Sequence, residues 1–264
     1  MQISGIIPAG GSATRISPLP CSKEIIPMGF RQLPNGKKKP KVVSHYLLEK
    51  YKQGGADRTF FIVKPGKWDI PQYYQSGLML DMPLAYLTMD LPYGVPYTID
   101  QAYPFVKDDI IMLGFPDIIF QEKTVYQQKI EALKNWGTDV VLGLFPVADA
   151  AQAAKCDVVD WDENKNEINE IVIKSKVTPL RKCWLTAVWS PTFTAFMHQF
   201  LQKDLNARKT EPNLPELFLG NVLQAALKAG LNIRGIYFEK EAYIDIGTPD
   251  DFIKAQQGYL TDWL

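Results

Sequence analysis

Strand-like and helix-like stretches alternate along the first half of the chain, and that order most limits its fold. Ile3 to Pro8 is a short apolar run ending in Ala9-Gly10-Gly11, as a buried strand ends in a loop whose backbone must approach something closely. From Val43 the apolar residues Val43, Tyr46, Leu47 and Tyr51 fall at helical spacing and stop at Gly54-Gly55. Thr59 to Val63 is then a compact β-branched and aromatic strand. The unit returns with Asp109 to Leu113 as strand, Thr124 to Trp136 as a helix stopped by Gly137, and Asp139 to Val147 as strand. Such alternation predicts a mostly parallel sheet covered by helices.

The rhythm then changes. Cys156 to Trp161 and Ile168 to Lys174 alternate with period two across a polar connector, which predicts an inserted antiparallel β-hairpin. Trp184 to Trp189 reads as a strand, Pro191 to Leu205 and Pro215 to Ala229 as amphipathic helices, and Ile233 to Phe238 as a late strand. A last helix starts with Thr248 as N-cap, Pro249 at its first position and Asp251 three residues after the cap. No repeat, low-complexity tract or flexible linker divides the chain, so 1–264 is expected to be one α/β domain.

Composition excludes several roles. With 46% apolar residues in 264, the chain can bury a core, yet no stretch approaches the roughly 18 apolar residues of a membrane span. Lys+Arg 29 against Asp+Glu 29 leaves no excess positive charge for a nucleic-acid backbone, so small anions are the expected partners. Cys21, Cys156 and Cys183 are odd in number and widely spaced, and there are only two histidines. Neither a disulfide framework nor a zinc site is expected, which fits a reducing cytoplasm. The first residues run straight into strand-like sequence, with no signal-peptide pattern.

The loop Ala9-Gly10-Gly11-Ser12-Ala13-Thr14-Arg15 has two readings. It is either an ordinary strand-exit turn or a phosphate loop, in which freed N–H groups, hydroxyls and the Arg15 guanidinium converge on phosphate oxygens. It lacks the third glycine of the dinucleotide fingerprint and the Gly-Lys-Ser/Thr of a P-loop, which disfavours a Rossmann-type oxidoreductase. The next segment, Ile16 to Met28, is apolar, broken by prolines, and carries the single lysine Lys23. Asp117 and Asp245 each follow an apolar run, so both fall at strand ends on the sheet edge where α/β proteins bind ligands. Taken singly, Asp117 also reads as a turn residue after proline and Asp245 as a solvated strand-end charge.

The ordered set of these segments resembles the sugar-1-phosphate nucleotidyltransferases, and most closely the glucose-1-phosphate thymidylyltransferase branch. Ala9 to Leu19 followed by Ser22-Lys23-Glu24-Ile25-Ile26-Pro27 is similar to the signature loop of that family. Pro92-Tyr93-Gly94-Val95, Gly114 to Phe120 and Tyr243 to Pro249 resemble three further family segments, in the same order. The resemblance implies a Rossmann-like, mostly parallel mixed sheet with the hairpin inserted, and Mg²⁺-dependent transfer from an NTP, dTTP or UTP favoured, to a sugar 1-phosphate. It implies that Arg15 and Lys23 grip the triphosphate, and that Ala9, Gly10, Gly11 and Gly94 border the nucleotide. It further implies that Asp117 and Asp245 hold the metal and that Lys174, with Lys176 as the alternative, binds the sugar phosphate. Relatives of this kind are often homo-oligomers.

The chain departs from that pattern at specific residues. Ala13 stands at a loop glycine, Met89 at the base-reading glutamine, and Ile173 at the glutamate before Lys174, while Tyr97 and Trp189 stand near substrate-side positions. These departures keep a second reading open, a relative that binds a nucleotide or nucleotide-sugar without turnover. His45 and His198 read as structural or exposed, and Lys37-Lys38-Lys39 with Lys41 as a solvated loop.

Overall fold

A strand apolar on both faces has to lie inside a sheet, and several segments of this chain are of that kind. The computed structural model describes residues 1–33, 35–175, 177–240 and 243–259. Its strands are β1 (Ile3–Ala9), β2 (Pro27–Gln32), β3 (Lys38–Val42), β4 (Arg58–Val63), β5 (Leu84–Thr88), β6 (Ile110–Gly114), β7 (Ile118–Phe120), β8 (Val140–Pro146), β9 (Asp157–Asp162), β10 (Glu167–Ile173), β11 (Lys182–Trp189), β12 (Ile233–Tyr237) and β13 (Tyr243–Asp245). The helices are α1 (Val43–Gln53), α2 (Asp69–Tyr74), α3 (Val95–Asp100), α4 (Tyr103–Val106), α5 (Val125–Trp136), α6 (Ala150–Ala153), α7 (Pro191–Thr210), α8 (Leu219–Lys228) and α9 (Pro249–Lys254).

Nine strands form one mixed sheet in the order β5-β4-β1-β6-β11-β8-β12-β10-β9. Parallel pairs join β5, β4, β1 and β6, and also β8 and β12. Antiparallel pairs flank β11 and make the β9–β10 hairpin, where expected. Alternate residues feed two cores. Ile7, Met112, Val141 and Phe145 pack with α1 and α5 on one face; Ile6, Leu113, Leu142 and Leu144 pack with α3, α7 and α8 on the other. No helix among the described residues is long and apolar enough to cross a membrane.

The chain leaves β1 toward β4 on one side and returns to β6 on the other. The crevice at the carboxyl ends of β1 and β6 is therefore a topological switch point, where α/β sheets bind ligands. Two small ribbons dress this edge, β2 with β3 and β7 with β13.

Two expectations are corrected. The lysine run is not wholly a solvated loop, because Lys38–Val42 is a strand and Lys41 is buried. Its ammonium lies 3.7 Å from the centre of the Tyr46 ring and pairs with Glu49 at 2.6 Å. The helix expected from Pro215 starts at Leu219, with Phe218 in extended conformation before it. Thr248 does cap α9: its Oγ1 accepts from the Asp251 N–H and donates to the Asp251 carboxylate at 2.7 Å.

Candidate active site

The loop after β1 turns at Ala13, whose φ of +52° is the left-handed conformation that glycine adopts freely. The carbonyl of Ala13 accepts hydrogen bonds from the Ile16 N–H at 3.1 Å and the Ser17 hydroxyl at 3.0 Å, which close the turn. Ser12 accepts from Lys64, just beyond β4, at 2.6 Å. Ser22 is then pinned to the Asp69 carboxylate by its N–H and its hydroxyl, at 2.6 and 2.7 Å. That anchor sets the single turn of 3₁₀-helix at Lys23–Ile25. Behind it Glu24 is fully buried and paired with Lys67 at 2.7 Å. Burial raises the Glu24 carboxyl above its ordinary value even against the lysine's pull.

Lys23 points the other way and meets Asp117 Oδ2 at 2.5 Å, with both side chains 14% exposed. Asp117 lies between β6 and β7, and its carbonyl accepts from the Ile246 N–H at 3.0 Å, extending the β7–β13 ribbon by one step. The ribbon thereby holds Asp245, the last residue of β13, beside Asp117. Gly247 reports how tightly these groups converge. A Cβ there would lie 2.8 Å from Asp245 Oδ1, 3.1 Å from Arg15 Nη2 and 3.3 Å from Asp117 Oδ2. Its N–H donates to Asp245 Oδ1 at 2.8 Å.

The electrostatics follow from this crowding. Burial, then the Asp117 charge, raises the Asp245 carboxyl above its ordinary value, partly relieved by Gly247, Lys23 and Arg15. Burial opposes the Lys23 ammonium, yet Asp117, Glu24 and Asp245 together outweigh it and raise its pKa. Among the described residues no three acidic, histidine or cysteine side chains cluster, so two aspartates are the available donors. Two neighbouring hard oxygen donors, with the Asp245 charge opposed by that of Asp117, fit Mg²⁺, which takes one or two carboxylates and keeps its other positions for water and phosphate.

These residues line one cavity of about 980 Å³. Gly11, Arg15, Lys23, Asp117, Asp245 and Lys174 all border it; Ala9, Gly10 and Gly94 do not, although their neighbours Pro8, Gly11 and Val95 do. Ala9 is buried as the last residue of β1. Gly94, with φ of +116°, starts α3 where the Leu217 carbonyl leaves no room for a Cβ. Lys174 also has positive φ, +43°, and its Nζ lies 3.7 Å from the centre of the Phe218 ring. Lys176 lies outside the described residues. The Met89 N–H is tied to the Val63 carbonyl at 2.9 Å, and its side chain packs on the core rather than bordering the cavity. His45 is buried beside Glu49, and His198 pairs with Asp100 at 2.9 Å while stacking on Tyr103.

Among the wall residues that reading the sequence missed are Asp157, Trp184 and Phe218. One signal was present. In Asp157-Val158-Val159, period two puts an acid on the same face as the core residue Val159, an exception to apolar alternation.

Comparison with solved structures finds the fold repeated. A protein from Bacillus anthracis, provisionally described as a glucose-1-phosphate thymidylyltransferase and crystallised with sucrose, is 18% identical, with a TM-score of 0.77, covering 97% of this chain and 94% of its own. A UDP-glucose pyrophosphorylase complexed with UDP-glucose is 15% identical, with a TM-score of 0.77 and coverage of 99% and 100%. The inositol-1-phosphate CTP transferase from T. maritima is 18% identical, with a TM-score of 0.67 and coverage of 94% and 90%. At such identities the likeness speaks for the fold alone. A comparison with curated protein sequences finds no match. The family model described as nucleotidyl transferase, however, matches residues 4–262, so the chain that brings Arg15, Lys23, Asp117 and Asp245 to one switch-point cavity belongs to the nucleotidyl transferase family.

Proposed function

We propose that this chain, acting as one domain, transfers a nucleoside monophosphate from an NTP, dTTP or UTP before the others, to a sugar 1-phosphate. The observation that carries this reading is the convergence of Arg15, Lys23, Asp117 and Asp245 around Gly247. In the reaction an oxygen of the acceptor phosphate attacks the α-phosphorus, the bond from that phosphorus to the bridging oxygen breaks, and pyrophosphate leaves with the electron pair. Little covalent chemistry falls to the protein, whose task is alignment and neutralisation of charge.

The Arg15 guanidinium supplies a planar donor fork for phosphate oxygens, and Lys23 a permanently charged ammonium, since its acidic neighbours hold it protonated. Asp117 and Asp245 would hold Mg²⁺, which when bound neutralises phosphate oxygens as a Lewis acid. Lys174 is assigned the acceptor phosphate, and Gly11 the backbone approach to the triphosphate. The free thiols of Cys21, Cys156 and Cys183 suit a reducing cytoplasm. Ala13 adopts the turn a glycine would make, at a cost of about 1 kcal/mol, so its Cβ does not change the course of the loop.

The test is pyrophosphate release from each of five NTPs paired with hexose 1-phosphates, in Mg²⁺ and in EDTA. Turnover with one pyrimidine triphosphate, abolished by EDTA, is expected. A nucleotide that raises the melting temperature yet releases no pyrophosphate with any acceptor would establish the binding-only reading instead.

A further inference from the structure

Two free thiols, Cys156 and Cys183, come together at the wall of the cavity, and nucleotidyl transfer gives neither a task. Cys183 lies on β11 opposite Val158 of antiparallel β9. Cys156 stands two residues before Val158, so the period of two puts both thiols on one face of the sheet, as diagonal cross-strand neighbours. Both pack, with Tyr243, against the core on the α1 and α5 side. The Cys183 thiol donates to the Tyr243 hydroxyl at 3.6 Å. Hydrogen bonds join Cys156 to the same two groups.

Access separates the two. Cys183 is fully buried, whereas Cys156 is partly exposed and borders the cavity, where a small solute reaches it. The hydrogen bond from Cys183 lowers the Cys156 thiol below its ordinary value, against burial and the charges of Asp157 and Asp245. The same bond, with burial, raises Cys183. A partly exposed thiol beside a buried one is the arrangement of an attacking and a resolving cysteine. Diagonal partners are about 7 Å apart at Cα, the outer edge of what a disulfide spans. Cys156 precedes the first residue of β9, so it can be drawn in without breaking the strand ladder.

We propose that Cys156 and Cys183 are a reversible redox pair, which a peroxide closes into a disulfide and a dithiol reopens, so that the cavity wall follows the oxidation state of its surroundings. The Cys156 sulfur attacks one oxygen of hydrogen peroxide. The S–O bond forms, the O–O bond breaks, and the released hydroxide takes the Cys156 proton to become water. The Cys183 sulfur then displaces the sulfenic oxygen, which leaves as a second water with the Cys183 proton. The two thiols have lost two electrons and the peroxide has gained them. A dithiol reverses the bridge by thiol–disulfide exchange and is itself oxidised. A transient bridge of this kind is compatible with a reducing compartment. Closure changes two parts of the wall. The Cys156 thiol at rest donates to the Gln152 carbonyl at 3.4 Å, and Asp149, Ala151 and Gln152 at α6 border the cavity. The bridge removes that bond and also the one from Cys183 to Tyr243, which opens β13 two residues before Asp245.

The experiment treats the full chain with equimolar hydrogen peroxide and then with dithiothreitol. Free thiols should fall from three to one, a non-reduced peptide map should link Cys156 to Cys183, and dithiothreitol should restore all three. Amide hydrogen exchange should rise in α6 and β13 of the oxidised form. Turnover, which rests on the transferase reading, should fall by about tenfold or more and return on reduction. Cys21→Ser should bridge as wild type does, and Cys156→Ser should keep its turnover in peroxide. Cys183→Ser has no resolving thiol, so Cys156 should gain oxygen rather than lose hydrogen. A map that leaves Cys156 and Cys183 unlinked, or links either to Cys21 or to another chain, would overturn the pair. Unchanged exchange in α6 and β13, or unchanged turnover in an active enzyme, would overturn the switch. If the reduced protein releases no pyrophosphate with any NTP, the transferase reading fails, while the map and the exchange still decide the switch. Should Cys183→Ser not fold, the wild-type map and exchange give the answer.

Discussion

The two ends of the cavity differ in how far their buried polar groups are paired. At the Lys23 end most charged groups pair with one another: Lys23 with Asp117, Asp245 with the Gly247 N–H, and Lys67 with Glu24 Oε1, leaving Glu24 Oε2 alone without a partner among the described residues there. At the hairpin end Asp157 and Trp184 keep polar atoms unpaired. At the first end Lys23 is already fixed by its pairing with Asp117. The second carries a desolvation cost. One cavity can therefore be braced by ion pairs at one end and carry uncompensated polar atoms at the other.

The sharpest way to break this comparison is at Asp117. Asp117→Asn removes a metal donor and the counter-charge of Lys23, and turnover in Mg²⁺ should fall by at least about a thousandfold while the melting temperature changes little. Retained activity would mean that the Lys23 end is not where the metal is held. Next in size is a stability effect of opposite sign at the hairpin end. The folded-state pKa of Asp157 is about 6 against an ordinary 3.8, so the folded protein binds the extra proton, and its stability declines as pH rises through that window. Asp157→Asn, without ligand, should be more stable than wild type above pH 6 by about 1–3 kcal/mol, with the gap closing toward pH 4. Thermal melts across that range check it; a destabilised variant at pH 8 would mean that Asp157 is already satisfied.

The smallest effect is a control from outside the cavity. Burial opposes the Glu49 charge, but His45 and Lys41 outweigh it and hold the carboxyl down to about 2. Its contribution is full above pH 4.5 and lost as pH falls toward 2. Because its side chain is 43% exposed, Glu49→Gln should lower stability at neutral pH by less than about 1 kcal/mol, the difference fading in acid. The two carboxylates thus predict opposite pH slopes within one protein, which denaturant melts can resolve.

What could be read from the sequence follows the range of the interactions. β1, β4, β6 and β8 were legible because burial on both faces leaves continuous apolar runs, and α9 because its cap is local. The β7–β13 ribbon was not, since three-residue strands carry no period. Lys41 was misread because the ring that covers it and the glutamate that pairs with it come from α1, where only the fold brings them. At the site, the loop after β1 and the segments around Asp117 and Asp245 carry local motifs. Asp157 and Trp184 share none; strand register alone makes them a pair.

The β7–β13 ribbon also has a meaning for how the molecule is made. Asp117 and Asp245 come from opposite halves of the chain and meet only when β13 docks on β7. Closing so long a loop is slow relative to forming the local α/β units around β1 and β4. A newly made chain can complete most of its sheet and still be unable to gather both carboxylates. If these two carboxylates hold the metal, recovery of turnover during refolding times the docking of one three-residue strand.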